Sequence, residues 1–491
     1  MKWTRLALVT LASCGLLAQQ LTAQETAQPV SIQEVTYNYV IDDEGDSPSD
    51  KSAAQKSEKK ADKKSAAQKS KKDGKKSAAQ KSKKNGKKSA AQKGKKNGKK
   101  SADQKGAKKA ASKSDCGCDD GKGKGGALSR FCKEHKAAWS LVDNSAKGKA
   151  GGIAITGHTQ FGYHTQGMNG HVVPPQQDAN GVPHSFNDYP NRVQLHQQWL
   201  TAEKVAHGGG DLSWGFRMDW LYGTDGPDAQ SFNNNAGEWD NGWTNGIAYG
   251  NAIPQLYAEV AVGDLRVRGG HFLSPLGYES VNSTENFFYS RSYGRGIVDF
   301  IPRTVTGVQV DYAVGDNLTA HGGWVNGYDT GFGSTDDSMF LGGATVALAN
   351  GMDINYMLLS SDDQYAHSIA VANQLTDRIH TVFESVLRTD TDSAGDSSSA
   401  ITLNNYVFYD LNDCMKVGLR SEWVDMGRSS EEFNAVTVGI NYQASANLLL
   451  RPEARIDNFH QDINDGDNDG GISASGRRDS TVFGFDAIWS Y

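Results

Sequence analysis

From Gly151 onward, arginines and carboxylates recur two residues apart: Arg217 and Asp219, Arg266 and Arg268, Arg420 and Glu422, and Arg451, Glu453 and Arg455. Side chains at i and i+2 share one face of an extended strand, so this spacing lays fixed charge along a single surface. Such a surface breaks no bonds; it handles ions and polar solutes in water. Motifs that would announce catalysis are missing, since no G-x-S-x-G, H-E-x-x-H or phosphate-binding Gly-Lys-Ser/Thr loop occurs. No catalytic residue and no cofactor is expected. Two constellations offer metal ligands. Cys116-Gly-Cys118 with Cys132 and His135 has a spacing zinc accepts, but outside a reducing compartment these thiols would pair as disulfides or stay free. Cys116 and Cys118 are too close to pair with each other without strain. Asp465, Asp467 and Asp469 copy the first half of a calcium loop, yet Gly476 holds its twelfth position and no helix flanks it, leaving an exposed acidic loop. No metal site is expected, and Cys414, alone at the start of a strand, reads as packing.

The charges need strands to position them. In LSWGFRMDWLY, Leu212, Trp214, Phe216, Met218, Trp220 and Tyr222 fall on one side and Ser213, Gly215, Arg217 and Asp219 on the other. A helix would wrap both sets around its circumference. The same alternation puts Ile153, Ile155, Phe161 and Tyr163 opposite Thr156, His158 and Gln160, and Leu265 and Val267 opposite Arg266 and Arg268. About sixteen such strands, between 14 and 18, start near residues 153, 193, 212, 253, 265, 305, 318, 339, 352, 364, 378, 401, 415, 433, 447 and 481. This predicts an all-β fold. Strands this numerous, with no helical stretches between them, exceed a sandwich, and closure into a barrel removes every edge. Tight turns such as 262–264 alternate with long polar loops, and the chain ends on TVFGFDAIWSY, whose aromatics share one face. Both features fit a transmembrane antiparallel β-barrel of the outer membrane, apolar side to lipid. Arg217, Asp219, Arg266, Arg268, Arg378, Arg388, Arg420, Arg451 and Arg455 then face inward, with His380, Glu384, Glu422 and Glu453. They predict a wet lumen, a pore wall rather than a packed core.

The rest of the chain is a different object. Residues 1–23 combine a basic start, a short apolar run and a small exit residue, the pattern of a secretory signal peptide. A short acidic segment, 24–50, follows. Residues 51–113 repeat phrases such as KSAAQKSKKNGKK and hold 25 lysines against four acids, a net +21, whereas 151–491 holds 17 basic residues against 41 acids, a net −24. Without aromatic or β-branched residues the repeat cannot bury enough surface to order itself, so a disordered tether is expected. A linker with three cysteines, 114–150, precedes the barrel, and its residues 127–143 could form one amphipathic helix. The tether should hang in the periplasm and meet peptidoglycan or another anionic envelope polymer through salt-sensitive attraction. Nucleic acid is not its expected partner; the barrel's are outer-membrane lipid and small hydrophilic solutes, and a homo-oligomer is compatible with it.

Within 263–296 the phrases Gly270-His271-Phe272, Gly277-Tyr278-Glu279 and Asn286-Phe287-Phe288-Tyr289-Ser290, then Tyr293, resemble the OmpL-like β-barrel porin family over about residues 151–491. Asp219-Trp220-Leu221-Tyr222-Gly223 and Pro254-Gln255-Leu256-Tyr257-Ala258-Glu259 support the likeness. Where that family continues P-F-T-H-T-G, this chain keeps only the Thr and Gly of its 299–307 stretch. The resemblance implies an outer-membrane porin passing small hydrophilic solutes or ions; the alternative is a plugged barrel serving as a receptor or wall anchor. Residues 274–303 are too long for a tight turn and too aromatic for a loose loop. They are expected to fold into the lumen, anchored by Phe287, Phe288, Tyr289, Tyr293 and Phe300. Glu279, Glu285, Arg291, Arg295, Asp299 and Arg303 would then face the channel as a constriction.

Overall fold

The computed structural model describes residues 138–140, 152–165, 186–187, 189–208, 210–246, 248–296, 300–333, 338–427, 432–460 and 480–491. The expected signal peptide, acidic segment and Lys repeat lie outside these residues, as do Cys116, Cys118, Cys132, Asp299 and the 465–472 loop. Of the expected 127–143 helix only 138–140 is described, and it is not helical.

Wherever side chains alternate, the chain forms strands: β1 (Ala154–His164), β2 (Gln194–Lys204), β3 (Ser213–Gly223), β4 (Thr244–Asn245), β5 (Tyr249–Val262), β6 (Leu265–Leu273), β7 (Thr304–Ala313), β8 (Leu318–Val325), β9 (Met339–Leu348), β10 (Met352–Ser360), β11 (Gln364–Thr376), β12 (Ile379–Thr391), β13 (Ser397–Asn412), β14 (Met415–Asp425), β15 (Glu432–Ser445), β16 (Leu448–His460) and β17 (Ser480–Ser490). The two-residue β4 only flanks β5. The other sixteen pair in order, each antiparallel to the next, and β17 closes on β1 with His158 opposite Ser490 and His164 opposite Gly484. The result is a closed sixteen-strand barrel. Its outer face carries Trp214, 58% exposed, and Phe483, 59%, while Asp219 and Asp486 on the inner face are 0% exposed. Among the described residues no helix is long and apolar enough to cross a membrane; strands make the crossing, with lipid on the apolar side.

The two ends of the barrel differ. Residues 263–264, 377–378, 413–414 and 446–447 turn tightly at one end, Gly263 at φ +56°. At the other end run the longer connections 165–193, 224–248 and 274–303. The first and last strands meet at the tight-turn end, where Gly157 and Tyr491 exchange backbone hydrogen bonds of 2.8 and 2.9 Å. Two expectations fail here. Arg378 sits in the exposed turn between β11 and β12, because alternation starts only at Ile379, and so does not line the lumen. Cys414 is not mere packing: it is disulfide-bonded.

Candidate functional site

Residues 274–303 leave β6 and enter the barrel. Gly270 turns the strand at φ +138°, where a Cβ would lie 2.4 Å from the Leu256 carbonyl oxygen. Gly277 turns the segment itself at φ +88°. Only glycine takes either position without strain, which gives the glycines of the G-H-F and G-Y-E phrases their reason.

Once inside, the segment's main chain is gripped by charges on the wall. Carboxylates accept its N–H groups: Tyr278 N–H donates to Glu384 at 2.6 Å, Tyr289 to Glu453 at 2.8 Å and Tyr293 to Glu422 at 2.7 Å. Guanidiniums donate to its carbonyls: Arg451 to Ser283 and Asn286 at 3.0 and 2.6 Å, Arg420 to Ser290 at 2.8 Å, Arg455 to Arg291 at 2.9 Å. Gln197 both donates to the Val281 carbonyl and accepts from Ser283 N–H. Side chains add anchors. Tyr293 hydroxyl donates to Asp457 at 2.6 Å, and Phe287 packs with its centroid 4.8 Å from that of Phe408. Leu276, Tyr293, Phe300 and Ile301 join wall residues such as Val305, Leu359 and Val386 in one apolar cluster.

Glu279 of the segment and the wall charges beneath it form a chain. Glu279 meets Arg420 at 2.7 Å, Arg420 meets Glu422 at 2.8 Å, Glu422 meets Arg455 at 3.2 Å, and Arg455 meets Asp457 at 2.7 Å. Arg451 pairs with Asp486 at 2.5 Å. Arg420, Arg451 and Arg455 do point inward, but at no more than 1% exposure they are dry. The expectation of a wet lumen is corrected for these residues: a buried charge is retained where partners and backbone groups replace its water.

The segment's own charges are corrected likewise. Glu279, Arg291, Arg295 and Arg303 are buried rather than open to channel water. Arg291 donates to the Val281 carbonyl and the Ser283 hydroxyl, and Arg295 to the Leu276, Glu279 and Pro302 carbonyls. Burial lowers Arg295 to about 10, against the pull of Glu384. Burial pushes Glu279 up, but Arg420 and the Ser292 N–H outweigh it and hold the carboxyl below its ordinary range. Glu285 is half-buried and close enough to Arg217 for the two charges to interact.

Opposite lies a less covered wall. Arg217, half-buried on β3, pairs with Asp219 at 3.0 Å and Glu203 at 3.4 Å. Arg266 and Arg268 on β6 are also half-buried, and neither has an ion pair among the described residues; Arg268 lies over the Tyr257 ring. On β7 and β8 Asp311 and His321 meet at 2.7 Å; back on β12 to β14, the strands that carry Glu384 and Arg420, His380 and Lys416 both reach Asp410, and Arg388 pairs with Asp390 at 2.7 Å. Among the described residues no cluster of His, Cys, Asp or Glu could hold a metal. Gln197, Asp457 and Asp486 escaped the sequence reading. The last two continue the alternation from Arg455 and from Val482, and so were legible, whereas a bulge beside Gln160 hides the face of Gln197.

A closed barrel with a lipid-facing outside and a charged inside that holds an inward-folded connection is the build of an outer-membrane channel protein. Residues 152–491 match the family model described as "Putative beta-barrel porin-2, OmpL-like", and the chain belongs to that family. It is a porin of the bacterial outer membrane, in contact with lipid and with small solutes. No curated relative matches significantly. Solved structures of similar trace include the outer membrane channel DcaP of Acinetobacter baumannii (10% identity, 72% of this chain and 100% of that one, TM-score 0.45). An anion-selective porin from Comamonas acidovorans (10%, 69% and 99%, 0.44) and OmpT of Vibrio cholerae (9%, 70% and 99%, 0.44) are others. Membership rests on the family match alone.

Proposed function

We propose that small hydrophilic solutes and ions diffuse through the space between the inner segment and the half-buried charges of the opposite wall. The segment sets the width; Glu285 on its side and Glu203, Arg217, Arg266 and Arg268 on the other form the charged constriction. What supports this reading is the contrast in burial between the two walls, since only incompletely covered charges can meet a passing ion. Conductance of the purified protein in planar bilayers, with liposome swelling in sugars of graded size, tests it: stepwise conductance and a size cut-off are expected. A plugged barrel acting as a receptor or wall anchor is the second reading, favoured by the apolar cluster that fuses the segment to the wall. Absence of flux for even the smallest sugar would select it. For the Lys repeat we propose a periplasmic tether to anionic envelope polymer. Its retention on isolated cell wall should fall steeply with salt, and retention unchanged by salt would reject it.

A further inference from the structure

The outer face of β12, β13 and β14 carries polar groups that lipid cannot serve. Alternation turns Asn404 and Tyr406 inward, at 0% and 1% exposure, and so turns Asn405 between them toward lipid. Asn405 lies opposite Phe383 on β12 and Ser421 on β14, with Leu403 and Val407 flanking it on its own strand. Ser421 stands between the outward Leu419 and Trp423, and Ser385, opposite Leu403, stands between Phe383 and Leu387. Among the described residues none of these three polar side chains forms a hydrogen bond. Other outward polar groups do find partners: Thr159 donates to Gln198 at 2.8 Å, and Tyr365 meets His367 at 2.8 Å.

Depth keeps water away from the patch. Tyr409 lies near the tight-turn end of β13, and the four residues from it to Asn405 climb about 13 Å along the strand, or about 10 Å of depth at a tilt of about 40°. The lipid-facing band is about 25 Å tall, which puts Asn405 near its middle. An asparagine side chain is too short to reach the headgroups from there, as a lysine would. A primary amide held in hydrocarbon with nothing to bond is costly.

We propose that this face docks a second copy of the chain, the two related by a two-fold axis that runs along the membrane normal beside Asn405. An amide carries both donors and an acceptor, so a copy of itself serves it. Strand tilt makes the rest of the patch self-complementary. Ile379, the first residue of β12, lies opposite Tyr409, whereas β13 runs three residues further to Asn412 before it turns. Rows of paired residues therefore climb away from the tight-turn end in passing from β12 to β14. At a tilt of about 40°, Ser421 lies roughly 4 Å to one side of Asn405 and Ser385 roughly 8 Å to the other, both roughly 2–3 Å higher. A two-fold axis along the normal exchanges left and right and keeps height. It sets Ser421 of one copy against Ser385 of the partner subunit, on both sides, with the two Asn405 amides meeting between them. Exposed Val407, Leu419 and Val438 supply apolar contact around these groups. Such an interface is isologous and closes at two copies.

Thiol cross-linking of the full-length protein in outer membranes tests the arrangement. N405C oxidised with copper phenanthroline should give a species of twice the monomer mass that reductant dissolves. V267C, on the outer face of β6, should give no more of it than the parent chain does. S385C and S421C chains carrying different tags, made together, should cross-link to each other more than either does to itself. N405L should keep the parent's melting and unit conductance while weakening the pair in detergent about fivefold, the share of one interchain hydrogen bond. Cross-linking of N405C no greater than that of V267C, a species of three chains, or unchanged association of N405L would overturn the proposal.

Discussion

Two stretches of the same inner wall carry the same pattern and meet different fates. On β14 and β16 the i, i+2 charges Arg420, Glu422, Arg451, Glu453 and Arg455 are dry, sealed under residues 274–303. On β3 and β6, Arg217, Arg266 and Arg268 keep part of their surface in the lumen. Alternation determines which way a side chain points, but not what lies in front of it. A charge that meets a folded backbone becomes a fastener; one that meets water becomes part of a conduction path. The sealed wall shows how the first is done: its carboxylates accept N–H groups, its guanidiniums donate to C=O groups, and Arg420, Glu422, Arg451 and Arg455 also form ion pairs, so that these contacts replace much of the water the charges lost.

Breaking the sealed wall should produce the largest effect. R420A leaves Glu279 and Glu422 buried without their shared cation and frees the Ser290 carbonyl. Removing one partner of a buried pair costs about 3–5 kcal/mol. Thermal unfolding in detergent should therefore start well below that of the parent protein. Because the segment loses its grip, single-channel conductance should rise and become noisier. A variant with parental melting and conductance would mean that the segment is held elsewhere. Neutralising Arg291, Arg295 or Arg303 should likewise weaken the fold more than it alters ion preference, since their partners are backbone carbonyls and buried rings.

The connection 224–248 gives a smaller, pH-dependent effect. Asp240 accepts from Ser231 and Ile253 N–H at 2.9 and 2.8 Å. Burial outweighs those bonds and raises its carboxyl to about 6. A carboxyl raised above its unfolded value holds its proton longer when folded, so its contribution is full near pH 4 and is lost as pH climbs through 6. Opening of this connection, followed as proteolytic nicking, should accelerate between pH 4 and 7 by up to about a hundredfold. D240N should flatten that profile whatever its baseline rate. Smaller again is Y293F, which removes the hydroxyl donated to Asp457 and should cost about 1–2 kcal/mol in melting without changing pH dependence.

The fold was largely legible and the site only in part. Strand starts near 265, 318, 339, 352, 364 and 415 were readable because a two-residue period with apolar residues facing lipid is a local property. Arg378 was misplaced by one turn, since Asp377-Arg378 continues the polar texture without continuing the strand. Aromatic anchors marked 274–303 as an inward connection, yet nothing in the segment says which strands it will cover. That depends on contacts such as Ser283 with Arg451, 168 residues apart. The disulfide at Cys414 was not legible either, because in the sequence that cysteine stands alone at the start of a strand.

The comparison is sharpest where the stability effect should nearly vanish. In R266Q/R268Q neither side chain leaves a stranded ionic partner, because neither forms an ion pair among the described residues; Arg266 gives up a hydrogen bond to the Ala206 carbonyl and Arg268 its place over Tyr257. Folding should change by no more than about 0.5 kcal/mol for each substitution. Yet removing two cations from a half-covered wall that also bears Glu203, Glu259 and Asp311 leaves it more acidic. The reversal potential in a salt gradient should shift toward cation preference. Preserved melting with a shifted potential marks this wall as the one that ions meet. A collapse in melting like that of R420A would show that β6 is sealed as β14 is, and that the conduction path runs past neither.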